Sequence, residues 1–168
     1  ATMTSLRYSI DEQLLELWHN KTDDNGRPFP VQIRQEASEV LAPRITLLHG
    51  KKNQIHSLEC IGPGIIRHRG TADEQAVEAM WTESFVYRQA PDQQILIDGN
   101  VQIAQTARQF RLAAQQVEMV LQGSLSSDSP DDSLAVDMAD RSSIAELKFA
   151  RLRPRTMTAR QEVQLTGP

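Results

Sequence analysis

Apolar and polar residues alternate with period two in several short stretches of the chain. Leu6, Tyr8 and Ile10 fall on one face of an extended segment, and so do Val31, Ile33 and Gln35. Farther on, Ile144, Glu146 and Lys148 oppose Ala145, Leu147 and Phe149. That period belongs to half-buried antiparallel strands. Turn-forming residues divide the runs at Asn20 to Pro30, Gly50 to Gln54, Gly62-Pro63-Gly64, Gly70 to Glu74, Ala90-Pro91-Asp92, Asp98-Gly99-Asn100 and Gly123 to Ser133. The pieces between them are roughly 5 to 10 residues, which is strand length. Three stretches are instead rich in helix formers: Asp11 to Trp18, Asp73 to Trp81 and Ala107 to Leu121. In the last, Phe110, Ala114, Val117 and Leu121 share a helical face. The same residues also read as strand, with Phe110, Leu112 and Ala114 on one face, a kink at Gln115-Gln116, and then Val117, Met119 and Leu121 on one face.

An internal repeat decides between the two. Val31-Gln32-Ile33-Arg34-Gln35-Glu36-Ala37 aligns with Val101-Gln102-Ile103-Ala104-Gln105-Thr106-Ala107 at an offset of 70, five of seven positions being identical. Upstream, Ser5-Leu6-Arg7-Tyr8 matches Ser84-Phe85-Val86-Tyr87. Downstream, Leu41 to Leu47 parallels Leu112 to Met119 with one insertion, and Leu58 to Pro63 resembles Val163 to Pro168. The first copy places Pro43 where the second would have an interior helical residue, at a cost of roughly 3 kcal/mol in a helix. Phe110 to Leu121 is therefore expected to be strand. The expected architecture is all-β, an antiparallel jellyroll or open rolled sheet in one domain over residues 1–168. It is built from two degenerate repeats, about 5–70 and about 76–168. Beginning at Ala1 without a Met and ending on Gly167-Pro168, it also reads as a piece of a longer protein.

The second copy carries a family resemblance. The segments Ala79 to Tyr87, Ile95 to Gln105 and Phe110 to Met119 resemble the OstA/LptA-like β-jellyroll family of lipopolysaccharide transport. The shared pattern is a strand ending in Tyr, an apolar strand into Gly99-Asn100-Val101, and an apolar strand ending in Ala114-Gln115-Gln116-Val117-Glu118-Met119. The chain departs from it where Gln115, and Pro43 or Arg44 in the first copy, replace an aspartate. No Gly-Asn precedes Val31, and the polar insertions are longer. Gly99-Asn100 supplies positive φ, which the alignment places at a sharp turn between two strands. The resemblance implies a periplasmic, non-enzymatic module that binds acyl chains of lipopolysaccharide between two sheets and stacks edge to edge with sister domains. It assigns no catalytic residue and no cofactor. The inward apolar row expected to face lipid is Ile103, Phe110, Leu112, Val117, Met119 and Leu121. Arg151, Arg153 and Arg155, at alternate positions, could meet a lipid head group or form a solvated face.

Charge and composition narrow the classes. The chain has 18 Lys and Arg against 22 Asp and Glu, a net charge of −4, with the signs interspersed. That argues against nucleic acid, which needs a basic face. The single cysteine, Cys60, forms no internal disulfide and no Cys-rich zinc site. No apolar run reaches the roughly 18 residues of a membrane-spanning helix, and the first residues do not resemble a signal peptide. His49, His56, Cys60 and His68 lie within twenty residues, with His56 and Cys60 on one face of a strand, yet they lack the paired spacing of a metal site. Gly62-Pro63-Gly64 has no following Lys-Ser/Thr and reads as a turn rather than a phosphate loop. Asp128, Asp131 and Asp132 lie among serines without the Gly and Glu of a calcium loop. Trp18, Trp81, Phe85, Phe110 and Phe149 are expected in the core. An envelope lipid-binding module is thus expected, the alternative being a structural or interaction repeat of a long envelope or extracellular protein. A small-molecule enzyme built on His56 and Cys60 is a distant third.

Overall fold

The computed structural model describes residues 4–35, 37–50, 55–69, 76–89, 92–106, 109–122 and 153–167. The strand read into Ile144 to Phe149, the Asp128 to Asp132 cluster and Arg151 lie outside the described residues. Thirteen strands follow one another: β1 (Thr4–Ser9), β2 (Leu14–His19), β3 (Val31–Gln35), β4 (Ser38–Ala42), β5 (Arg44–His49), β6 (Ile55–Ile61), β7 (Gly64–His68), β8 (Val77–Trp81), β9 (Ser84–Arg88), β10 (Gln94–Gln105), β11 (Phe110–Gln122), β12 (Arg153–Arg160) and β13 (Gln164–Thr166). All pairings between strands are antiparallel.

Among the described residues the pairing pattern shows a single 13-stranded sheet folded along a seam into two leaves. Strand β10 pairs through Gln94 to Asp98 with β9 and through Gln102 to Gln105 with β8, both on one edge, while β11 runs along its other edge. Strand β11 forks likewise, its second half pairing with β12 and its first with β13. One leaf therefore reads β1-β2-β5-β6-β9, then the first half of β10, the second half of β11 and β12. The other reads β3-β4-β7-β8, then the second half of β10, the first half of β11 and β13. Each long strand crosses from leaf to leaf at a corner: Pro43, Gly62-Pro63, Thr82-Glu83, Gly99-Asn100, Gln115 and Gln161-Glu162. Only between β2 and β3 is the corner replaced by a longer excursion, Asn20 to Pro30.

Neighbouring corners are hydrogen-bonded to one another, which keeps the seam aligned. Gly62 N donates to Glu83 O at 2.7 Å, Thr82 N to Gly99 O at 2.7 Å, and Gln115 N to Gln161 O at 3.1 Å. The Trp81 indole donates to Gly62 O at 2.9 Å. The backbone at Gly99 and Asn100 is left-handed, φ 83° and 43°, and the β10 to β11 register shifts there. Positive φ was expected at this pair, but the turn between two strands was not found: Gly99-Asn100 bends one continuous strand and sends it into the other leaf. Any Cβ at Gly99 would lie 2.8 Å from the Glu83 backbone N, so the seam's close approach requires glycine there.

Within the described residues, the helix-forming stretches are strand and turn. Phe110 to Leu121 lies in β11 with Leu112, Ala114, Val117 and Leu121 buried, the alternation breaking at Gln115-Gln116. The core fills the angle between the leaves. Ile45, Leu58, Ile97, Val40, Val101 and Val117 are its largest aliphatic members with essentially no exposure. Trp81, Phe85 and Phe110 belong to or pack against it as expected, whereas Trp18 is only partly buried and its indole donates to Asn20 Oδ1 at 2.7 Å. The outer faces carry ion pairs such as Arg44 to Glu16 and Arg67 to Glu78, each 2.7 Å.

The stretches matched at offset 70 both follow a crossing of the seam: Val31 to Gln35 is β3, and Val101 to Gln105 is the second half of β10. Leu58 to Ile61 runs toward a corner, whereas Val163 to Thr166 leaves one.

Candidate functional site

The leaves diverge from the seam, so inward side chains far from it have less opposite them. A cavity of about 230 Å³ opens there, between the later strands. On the second leaf its floor is the cross-strand row Ile66, Ala79 and Ile103, and the next row outward is His68, Val77, Gln105 and Phe110. The first leaf contributes Ile95, Ile97, Met119 and Leu121, with Phe85 and Met157 at the flanks. All but His68 and Gln105 are apolar. Val77 and Met157 are 37% and 39% exposed, so the cavity reaches solvent beside them. The volume is below the roughly 300–1,000 Å³ of pockets that enclose drug-sized ligands. It suits a segment of flexible chain better than a compact molecule.

Of the residues expected to face lipid, Ile103, Phe110, Met119 and Leu121 line this cavity. Leu112 and Val117 share their face but sit deeper, 4% and 0% exposed, packed among core residues. All six residues expected to face lipid lie on β10 and β11. The opposing contributors Ile66, Val77 and Ala79, and also Met157, are not among them. Their signal was present: Met157 and Ala159 alternate on β12 and pair with Met119 and Val117. On the same strand Arg153 pairs with Gln122 and Pro154 with Leu121, and the register then shifts so that Thr156 meets Val120. Arg155 stands at that irregularity, exposed, two residues from Met157.

His49, His56, Cys60 and His68 are dispersed. His49 stacks on Tyr8 at 5.7 Å and its Nε2 is 2.9 Å from the Tyr8 hydroxyl. His56 and Cys60 do not share a face: a register shift opposite His49 puts Ile55 inward and leaves His56 exposed, while Cys60 is buried. Burial, aided by the Glu59 carboxylate, pushes the Cys60 thiol up to about 12. A thiol so held has little thiolate at neutral pH and is a poor nucleophile. His68 lies on the other leaf, where its Nδ1 is 3.0 Å from Ser38 Oγ. Among the described residues no three His, Cys, Asp or Glu side chains cluster in a way that could hold a metal ion.

No family model and no curated protein sequence matches the chain. In three dimensions it is similar to the crystal structure of LptH, the LptA-homologous periplasmic component of the conserved lipopolysaccharide transport device from Pseudomonas aeruginosa. The TM-score is 0.50 at 10% identity, over 68% of this chain and 70% of that one. At this identity the likeness concerns the fold, and the chain has the LptA-like all-β fold that the resemblance in the second copy implied.

Proposed function

We propose that the chain is a non-enzymatic cell-envelope module that holds the acyl part of lipopolysaccharide, or of a comparable acyl lipid, between its two leaves. The observation that carries this is the apolar cavity whose walls are Ile103, Phe110, Met119 and Leu121 facing Ile66 and Ile97. Burying a methylene on such a surface yields roughly 0.8 kcal/mol, so a chain of modest length supplies useful affinity without any catalytic group. The shared fold with a periplasmic lipopolysaccharide-transport component supports an envelope location and a transport role. In this reading Arg155, and with it Arg151 and Arg153, serves the head group, and sister domains add at the open sheet edges.

A structural or interaction repeat without lipid traffic is the competing reading. It is favoured by the solid packing of the earlier strands, where Ile45, Leu47 and Leu58 are at most 4% exposed. Photocrosslinking separates the two. A benzophenone side chain at Phe110 or Met119 is expected to capture lipopolysaccharide, whereas one at the outward Glu118 is not. Absence of adduct at both inward positions in folded protein would establish the scaffold reading instead.

A further inference from the structure

The second leaf carries a recess on its outer face as well. Next to the inward Val40, Ile66, Ala79 and Ile103 stand Leu41, Ile65, Met80 and Gln102, matched across β4, β7, β8 and β10 in one row. Successive residues of a strand point to opposite faces, so this row lies on the outside of the molecule. It is the floor of a groove of about 500 Å³ whose wall, on the seam side, is Pro30, Pro63, Thr82 and Asn100. That volume falls within the roughly 300–1,000 Å³ of ligand pockets. A Cβ at Gly64 would lie 2.3 Å from Trp81 Cζ2 and 2.7 Å from Leu41 O, so the missing side chain is what lets the indole edge border the groove.

The lining specifies an occupant. None of the described residues around the groove is charged. In the next row away from the seam, Glu39, Arg67 and Glu78, the arginine already faces both carboxylates, at 3.8 Å and 2.7 Å. A charged occupant would therefore be covered without a partner, which is costly. A bare alkyl chain fits no better, because it would cover the Thr82 hydroxyl and the Asn100 and Gln102 amides and give them nothing in exchange. Asn100 is set to donate: its Oδ1 accepts from Gln115 Nε2 at 3.0 Å, which fixes the amide and leaves its NH2 for a carbonyl. From Leu41 to Gln102 the row crosses four neighbouring strands, about 14 Å, the reach of four or five extended residues.

We propose that this outer groove receives an uncharged, extended segment of a partner polypeptide, laid across the strands. Alternate apolar side chains of the segment rest on Leu41, Ile65 and Met80, and its peptide groups bond to Asn100 and Gln102. Such a partner approaches from outside and leaves the space between the leaves open, so the inference stands apart from the lipid reading.

The neutral pentapeptide acetyl-Val-Thr-Val-Thr-Val-amide is a suitable probe. The chain has two tryptophans, so the whole protein carrying Trp18→Phe reports through Trp81 alone. The peptide is expected to shift Trp81 emission saturably, and a version with lysine at its centre to bind on the order of tenfold more weakly. Met80→Lys, at a position 36% exposed and so tolerant of charge, is expected to abolish the shift without changing the melting temperature. Gln102→Ala is expected to weaken the peptide about fivefold, the worth of one net hydrogen bond. Decanol is the control for an alkyl occupant. If it binds as tightly as the peptide, is blocked by Met80→Lys and ignores Gln102→Ala, the groove takes lipid and the peptide proposal is overturned. A peptide shift that survives Met80→Lys places the contact elsewhere and overturns it too, as does the absence of any shift.

Discussion

Two buried acids, Cys60 and Tyr87, give the residue scale a measurable consequence. Both are held neutral by desolvation, and both are raised to about 12, from ordinary values of 9.0 and 10.0. In the unfolded chain they ionise first, so above about pH 9 the unfolded state binds fewer protons than the folded one, and stability falls as pH rises. The contribution is fully present below pH 9 and is lost progressively toward pH 12, at about 1.4 kcal/mol per pH unit for each group that has ionised only when unfolded. Urea titrations between pH 8 and 11 should therefore show a steeper loss for the parent protein than for Cys60→Ala combined with Tyr87→Phe. Parallel losses would mean that the folded interior admits the charged forms. Neither residue stood out in the sequence for this reason. In the sequence Cys60 stands among three histidines, but the register shift opposite His49 that turns His56 outward depends on pairing with β5 and leaves no local signature.

At the scale of the element, the corner is the unit that makes two leaves from one meander. Gly99 tests it most directly. An alanine there adopts a left-handed conformation at roughly 1–2 kcal/mol, and its Cβ lies 2.8 Å from the Glu83 backbone N. With the added crowding, Gly99→Ala is expected to destabilise the fold by about 2–4 kcal/mol in a urea titration. A loss under about 0.5 kcal/mol would show that the seam is not tightly fixed at this position. Corners also explain what the sequence showed and what it hid. Pro43 excluded a helix in the first copy and so revealed β11 through the repeat, because a proline's missing N–H is a strictly local fact. Gly62-Pro63 and Gly99-Asn100 read as chain reversals because positive φ and proline occur in both reversals and corners. Only the pairing partners distinguish them, and those are non-local.

On the scale of the whole molecule, the inner apolar face outruns the strands that cover it. At one end Leu6 and Tyr8 lie on the face of Leu15 and Leu17 yet are 65% and 48% exposed; at the other, Met157 and Leu165 are 39% and 68% exposed. The ends are different surfaces, β1 with β3 against β12 with β13, so the proposed stacking, if by strand addition between these unlike edges, would propagate rather than close into a two-fold dimer. Joined in this way, each leaf continues into the next copy and successive inter-leaf spaces line up, as a bridge for acyl lipid requires. Sedimentation should therefore show linear oligomers growing with concentration. A lysine on an edge strand blocks addition, so Leu6→Lys and Leu165→Lys should each leave monomers. Mixed together they should form a one-to-one dimer and stop, because each variant retains the edge the other lacks. A mixture that stays monomeric while the parent protein assembles would place the contact elsewhere, and a parent protein that stays monomeric at high concentration would remove edge stacking from the proposed function.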